Sequence, residues 1–322
     1  MNGKDSHSQI RMQCHLKINL DNHFYSIFAK KFCMQLLVFI IVYPFLWVIS
    51  ILPFRVFYGL SDAVYFLVYN IIGYRKKVVR SNLALALPHL TDEERLIIEK
   101  KSYHHLCDMF MEMIKTMTIS SDEMNRRFTI NNLEVIKEYE KKGKSIMLVA
   151  AHYASWEWLI TLNQKISFRG VAVYKKLANT YFDKLVRDIR SKYNTELVPT
   201  SKTIPLIAEN QKNNILCVYG LASDQSPKAD RIFHWKSFMG IEVPVHTGPE
   251  MLAKKYDMTV VFAKVKKVKR GYYELTIIPL SDNPNAVPDF GITDAYIQEV
   301  EKQILEAPEY YFWTHKRWKH RR

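Results

Sequence analysis

Glycine is scarce in this chain, with ten among 322 residues. No G-x-G-x-x-G, G-x4-G-K-[ST], G-x-S-x-G or H-E-x-x-H string occurs, so the usual signals of dinucleotide, phosphate-loop, serine-hydrolase and zinc chemistry are missing. No cofactor and no metal is therefore expected. The four cysteines, Cys14, Cys33, Cys107 and Cys217, lack metal or redox spacing and read as incidental or buried thiols of a reducing compartment. Internal repeats and low-complexity linkers are also absent. Charge is missing from one long stretch: Phe32 to Phe54 carries no charged side chain over 23 residues.

As a helix that stretch covers about 34 Å, enough for a hydrocarbon core of about 30 Å. Pro44 would kink it, which membrane helices tolerate. The apolar run is too long for a cleaved signal peptide, and no small-residue cleavage site follows. Val56 to Tyr74 is again apolar but holds Asp62 and Gly59, and reads as an interfacial or packed segment. A buried helical pair in a soluble protein is the alternative. The chain thus divides into a polar extension at 1–31, a membrane anchor and interfacial segment at 32–74, and a catalytic domain at 75–322. Met34 opens the apolar run, so the extension is expected to come from an upstream start codon, with Met12 a second candidate. Lys17, Lys30 and Lys31 then compete with Arg55 and the Arg75 to Arg80 cluster for the cytoplasmic side, which the domain is expected to face.

The overall balance is basic, with formal charge +14 and pI near 9.4. That implies an acidic partner: nucleic acid, anionic lipid or an acidic protein. The apolar N-terminal segment selects against nucleic acid.

Ser145 to Ala151 is a nearly continuous apolar run that reads as a strand buried on both faces. His152 follows it in the turn, and Glu157 follows Ser155, the expected N-cap of a helix. A His-x4-Glu pair at a strand end can serve as a general base whose tautomer is fixed by the carboxylate. Capping and solvation of a helix start is the plainer alternative. Further along, Thr91-Asp-Glu-Glu94 starts a helix with apolar positions from Leu96 to Met117, and His104 and His105 on it read as core or surface residues. Val171 to Tyr174 is a strand, Tyr181 to Tyr193 a helix carrying Arg187 and Arg190, and Ile215 to Ala222 a strand ending at Asp224. Thr259 to Lys269 and Tyr272 to Pro279 form a hairpin around Arg270-Gly271. Lys264, Lys266, Lys267, Lys269 and Arg270 are expected either on the outer face of an edge strand or as a binding surface for lipid phosphate or an acidic carrier protein. The tail Lys316 to Arg322 is expected to be membrane-attracted or merely solvated.

Several ordered strings carry a resemblance. They are Tyr74-Arg75-Lys76-Lys77-Val78-Val79-Arg80-Ser81-Asn82-Leu83 with Leu87-Pro88, the His152/Glu157 motif, Asp224-Gln225, and Pro308-Glu309-Tyr310-Tyr311-Phe312-Trp313-Thr314-His315-Lys316-Arg317-Trp318-Lys319. Together they resemble the late acyltransferases of lipid A biosynthesis, relatives of the glycerolipid acyltransferases. Two departures stand out. Asn194 takes a glycine position of the family, and Trp235-Lys236-Ser237-Phe238-Met239-Gly240 replaces an "F-F-G" element, which puts acyl-chain selectivity in question.

The resemblance implies an α/β fold, a mixed sheet flanked by helices of the glycerolipid-acyltransferase kind, behind an N-terminal hydrophobic membrane helix. It implies transfer of a fatty acyl group from an acyl carrier protein thioester to a hydroxyl of a lipid A precursor at the inner membrane. His152 would be the base and Glu157 its support, with Arg190 and Asp224 organising substrate or forming an internal ion pair. The expected partners are acyl carrier protein, the lipid A precursor and membrane lipids, with no nucleic acid. A lysophospholipid or amino-lipid O-acyltransferase is the alternative within enzymes, and a non-catalytic membrane or nucleic-acid binder the alternative outside them.

Overall fold

A computed structural model describes residues 33–322. The expected polar extension at 1–31 and its start-codon question lie outside the described residues. The apolar helix α1 (Cys33–Ile51) comes first. It is followed by α2 (Phe54–Phe66), which runs into a π turn at Leu67–Ile72, then α3 (Lys76–Ala86) and the long α4 (Asp92–Lys115). Next are α5 (Ser121–Arg127), β1 (Phe128–Ile130), α6 (Leu133–Lys141) and β2 (Ile146–Ala150). A 3-10 segment (Trp156–Gln164) leads to β3 (Arg169–Tyr174), α7 (Thr180–Ser191), β4 (Thr195–Pro199), α8 (Thr203–Lys212) and β5 (Cys217–Ala222). The small pair β6 (His234–Phe238) and β7 (Ile241–Val245) precedes α9 (Gly248–Tyr256), β8 (Thr259–Lys269), β9 (Tyr272–Ser281) and α10 (Gly291–Glu306).

Seven strands form one sheet in the order β1-β9-β8-β2-β5-β3-β4. Every neighbouring pair is parallel except the β8–β9 hairpin, so the sheet is mixed and covered by helices, as expected. β2 is its middle strand, laddered to β5 on one side and β8 on the other. All five of its residues are buried, which explains why its sequence is a continuous apolar run and not an alternating one. Gly271 closes the hairpin at φ 74°, and a Cβ there would sit 1.9 Å from the Tyr58 hydroxyl. Only glycine fits that turn.

α4 starts with the capping box that Thr91 and Glu94 announce, each side chain accepting from the other's backbone N–H. Its buried face differs from the expected apolar stripe: Ile97 and Phe110 are exposed while Asp108 and Glu112 are buried. Those carboxylates are buried because they are partnered. Asp108 accepts from Arg270 and Ser61, and Glu112 accepts from the hydroxyls of Tyr58 and Tyr273. His105 is buried beside Lys267, and the more exposed His104 meets Asp62 at 2.8 Å.

β8 is laddered to β2 only from Thr259 to Ala263, so its lysine row, from Lys264 on, pairs with β9 alone, as on an edge, but it is not a merely solvated face. Lys264 pairs with Glu306, Lys267 lies 3.7 Å from Asp108, and Arg270 spans Asp62 and Asp108, so these charges mostly close the domain internally. Nor is the C-terminal string simply a tail. Trp313, Arg317 and Trp318 are buried, and Trp318 stacks between Phe238 and Trp313.

The first and last strings of the family resemblance meet here. Asn82 on α3 donates to the carbonyls of Trp313 and His315, both at 2.7 Å, and Arg75 donates to that of Thr314. Asn82→Ala leaves two carbonyls without this donor and is expected to lower stability by about 2 kcal/mol. A reduced denaturation midpoint of the detergent-solubilised protein measures it, and a midpoint equal to wild type would show the clasp to be idle.

Candidate active site

β2 and β5 run parallel with Ala150 opposite Ala222. Two residues beyond those ends come His152 and Asp224, and adjacent strands about 4.8 Å apart deliver both side chains to one point. His152 Nδ1 lies 2.7 Å from Asp224 Oδ1. This is the carboxyl end of the parallel strands, where α/β proteins bind their ligands. Asp224 is 1% exposed, whereas the His152 side chain keeps 23%. With Nδ1 engaged, Nε2 is the ring nitrogen left for a reacting group.

Burial works to lower the His152 pKa, but the charge and hydrogen bond of Asp224 outweigh it, with a smaller contribution from Glu157, so the net shift is upward. Asp224 shows the reciprocal pattern: burial would raise it, yet the imidazole beside it holds it below the usual carboxylate value. The pair therefore keeps a carboxylate in a dry site by giving it a proton-bearing partner.

The turn that carries His152 is held from outside. The Phe312 N–H donates to the His152 carbonyl at 3.1 Å, and the Ala154 N–H donates to the Tyr310 carbonyl at 3.0 Å. Tyr153 and Tyr311 form an isolated bridge between these segments. Ala154 is forced to φ 47°, a left-handed conformation that a non-glycine residue adopts only when its surroundings impose it. Trp156 stands edge-on to the imidazole with ring centres 5.3 Å apart, and Phe312 lies 5.9 Å away on a tilted plane. The C-terminal string thus clamps the His152 turn and lines it.

Glu157 falls in the first turn after Ser155, but that turn is 3-10 and Ser155 forms no capping bond. The expected reach of Glu157 back to His152 is not the contact found. Arg190 Nε meets Glu157 Oε2 at 2.9 Å and Arg190 Nη2 meets Oε1 at 2.7 Å, while Trp156 Nε1 also donates to Oε1. Arg190 and Asp224 do not pair with each other: Asp224 holds His152, and Arg190 holds Glu157. The tight 3-10 turn carries Glu157 towards α7, and β5 delivers the nearer carboxylate. Burial acts to lower the Arg190 pKa, but Glu157 more than restores it. Removing one member strands the other charge, so Arg190→Met is expected to destabilise by about 3 kcal/mol, and Arg190→Met with Glu157→Leu by less. Denaturant titration of both variants reads the difference; equal losses would refute the coupling.

Several flanking residues escaped sequence reasoning. The Tyr296 hydroxyl donates to the Ala150 carbonyl at 2.7 Å, under the end of β2. Tyr311 is buried against Asp224, and burial pushes its hydroxyl pKa well up. His315 is pushed down to about 4, mainly by burial. Tyr311 and His315 lie inside the C-terminal string, so that string was the available signal; Tyr296 had none. Asn194 adopts φ 59°, a left-handed conformation that asparagine tolerates. Among the described residues no cluster of three His, Cys, Asp or Glu comes together that could hold a metal ion.

Most of this chain is similar to known proteins. The lauroyltransferase of lipid A biosynthesis from Escherichia coli K12 is 26% identical over 278 residues, 86% of this chain and 89% of that protein. The palmitoleoyltransferase of lipid A biosynthesis from the same strain is 22% identical over 282 residues, with 86% and 89% covered. A lipid A biosynthesis acyltransferase of Haemophilus influenzae is 23% identical over 252 residues, with 77% and 78% covered. The family model described as "Bacterial lipid A biosynthesis acyltransferase" matches residues 27–320, a span that holds both strand ends, the paired side chains on them and the C-terminal clamp, and the chain accordingly belongs to that family.

Proposed function

We propose that this protein transfers a fatty acyl group from an acyl carrier protein thioester to a hydroxyl on a lipid A precursor, at the cytoplasmic face of the inner membrane. The observation that carries the chemistry is the 2.7 Å contact between His152 and Asp224 at the adjacent ends of β2 and β5. A partly exposed histidine oriented through one nitrogen by a buried carboxylate is the arrangement of a general base. Family membership supplies the reaction class, and the names of the relatives supply the acceptor pathway.

In this reading Nε2 of His152 takes the proton of the acceptor hydroxyl as its oxygen attacks the thioester carbonyl. The tetrahedral intermediate collapses with departure of the thiolate, which recovers the proton from the imidazolium. The products are an ester and a free thiol. Asp224 holds the imidazole in the required tautomer. Glu157 supports it at longer range through its charge, and Arg190 keeps Glu157 in place. No nucleophilic serine or cysteine is required. Arg190 uses two of its nitrogens on Glu157, and the N–H groups of Tyr153 and Ala154 already bond the carbonyls of Ala151 and Tyr310, so backbone N–H groups after Ala154 are the better oxyanion partners.

The test supplies acyl-acyl carrier protein or acyl-coenzyme A as donor, and a lipid A precursor or a lysophospholipid as acceptor, to the purified enzyme. Free thiol release and mass spectrometry of the lipid are followed together. Release that needs the carrier-protein donor and the lipid A precursor is expected. Preference for the lysophospholipid would overturn the acceptor, and membrane binding without thiol release would overturn catalysis.

A further inference from the structure

The way α1 is attached decides how it meets a membrane. Its composition would let it span, yet both of its ends are bonded to the same domain. At the first turn, Gln35 Nε2 donates to the Ala178 carbonyl at 3.1 Å, the Asn179 side chain donates to the Gln35 carbonyl at 3.2 Å, and the Thr180 N–H donates to Gln35 Oε1 at 3.3 Å. One turn later Phe39 packs on Tyr181 and Phe182, with ring centres 5.6 and 5.4 Å apart. At the far end Lys115 Nζ donates to the carbonyls of Ser50 and Leu52 at 2.7 and 2.6 Å, and Thr118 donates to Ser50 as well. Between those ends the less exposed positions are Leu36, Phe39, Val42, Leu46 and Ile49, one stripe at helical spacing facing the domain.

α7 runs beside it. Its start holds Gln35, and past its end Lys192 Nζ bonds the carbonyls of Thr116 and Ile119, the same corner that Lys115 and Thr118 bind to Ser50. From Gln35 to Ser50 is about 22 Å of helix, and α7 is about 18 Å long. A bilayer crossed by α1 would therefore have α7 within its hydrocarbon, including the exposed Lys184–Asp188 ion pair and the half-exposed Arg187. Charges at that depth are strongly disfavoured.

We propose that α1 does not span but lies in the plane of the membrane, sunk into one leaflet along its outer face with both ends on the side of the catalytic domain. That face is apolar throughout, with Phe45, Met34 and Ile40 more than half exposed. Lys175 and Lys176, exposed just before the Gln35 tether, meet anionic headgroups. The partner is a lipid bilayer containing anionic lipid. Because α7 also carries Arg190, and through it Glu157, this placement brings the His152 site to the leaflet surface, where the hydroxyl of a lipid acceptor lies. The last point rests on the acyltransferase reading above; the orientation of α1 does not.

Cys33, exposed at the start of α1 while Cys107 and Cys217 are buried, is a built-in reporter once Cys14→Ser removes the other N-terminal thiol. A second protein, with Cys14→Ser, Cys33→Ser and Lys212→Cys, reports the domain from the exposed end of α8. Both full-length proteins, in native membranes, are treated with a membrane-impermeant maleimide on intact spheroplasts and on inverted vesicles. Labelling of both sites from the same face is expected. Labelling from opposite faces would overturn the proposal, as would a Cys33 that reacts only after detergent, or protein recovered free of membranes. Acyl transfer is assayed in the same membranes: same-face labelling without transfer counts against the acyltransferase reading and leaves the orientation standing.

Discussion

His152→Ala is expected to lower acyl-transfer turnover at least about 100-fold with the fold intact, the usual scale for loss of a positioned general base. The side chain lies at the end of β2 and is partly exposed, so truncating it removes little packing. The turn is held by backbone bonds to Tyr310 and Phe312, which alanine retains. Initial rates with the carrier-protein donor and a circular dichroism spectrum measure the two halves of this expectation. A purified variant with near-normal turnover would remove His152 from the chemistry.

Asp224→Asn comes next in expected size, with a loss of about 10²–10⁴-fold, because an amide can hold the ring but cannot stabilise the imidazolium that forms during attack. Its pH profile gives the sharper readout. The base must be neutral, and the His152 pKa is raised above the ordinary 6.5 by Asp224 against the opposing effect of burial. Activity of the wild type should therefore fall on the acid side with a midpoint above 6.5. Removing the Asp224 charge leaves burial as the largest influence, so the acid limb of Asp224→Asn should move to lower pH. An unmoved limb would show that Asp224 does not govern the imidazole. Glu157→Gln should shift the limb in the same direction but less, since Glu157 acts on His152 only at longer range.

The contrast between these two carboxylates shows where sequence reasoning stops. His152 and Glu157 are five positions apart, and proximity in sequence made Glu157 the natural partner. In space a strand pair outranks a turn. β5 enters the sheet beside β2, and its parallel register sets Asp224 opposite His152 although the two are 72 positions apart in sequence. Asp224 and Arg190 are legible as site residues, but their partners are not, because ion-pair choice depends on which elements are neighbours.

Periodicity and turn chemistry were legible wherever the cause is local. The continuous apolar run of β2 reported burial on both faces, Thr91 and Glu94 reported a helix start, and Gly271 reported a hairpin. Asn194 reported a left-handed residue. Each depends on a few consecutive side chains and their own backbone. The apolarity of α1 was equally plain, but its orientation was not, because a hydrophobic stretch states only that it avoids water. Hydrogen bonds to Gln35 from the start of α7 and from Lys115 to Ser50 depend on how separate helices pack.

The C-terminal string marks the same boundary. Its basic and aromatic residues look like a surface tail when read in order, and composition supports that reading. Packed, Trp313 and Trp318 become core, and the backbone of Phe312 becomes the clasp of the His152 turn. Residue identity alone thus defined β2, β3, β5 and the β8–β9 hairpin, the Thr91 cap, the apolar helix and the roster of reactive side chains. Which of those side chains touch, which charges are neutralised and which face of α1 lies against the domain came from strand order and helix packing, since those relations join positions that no local pattern connects.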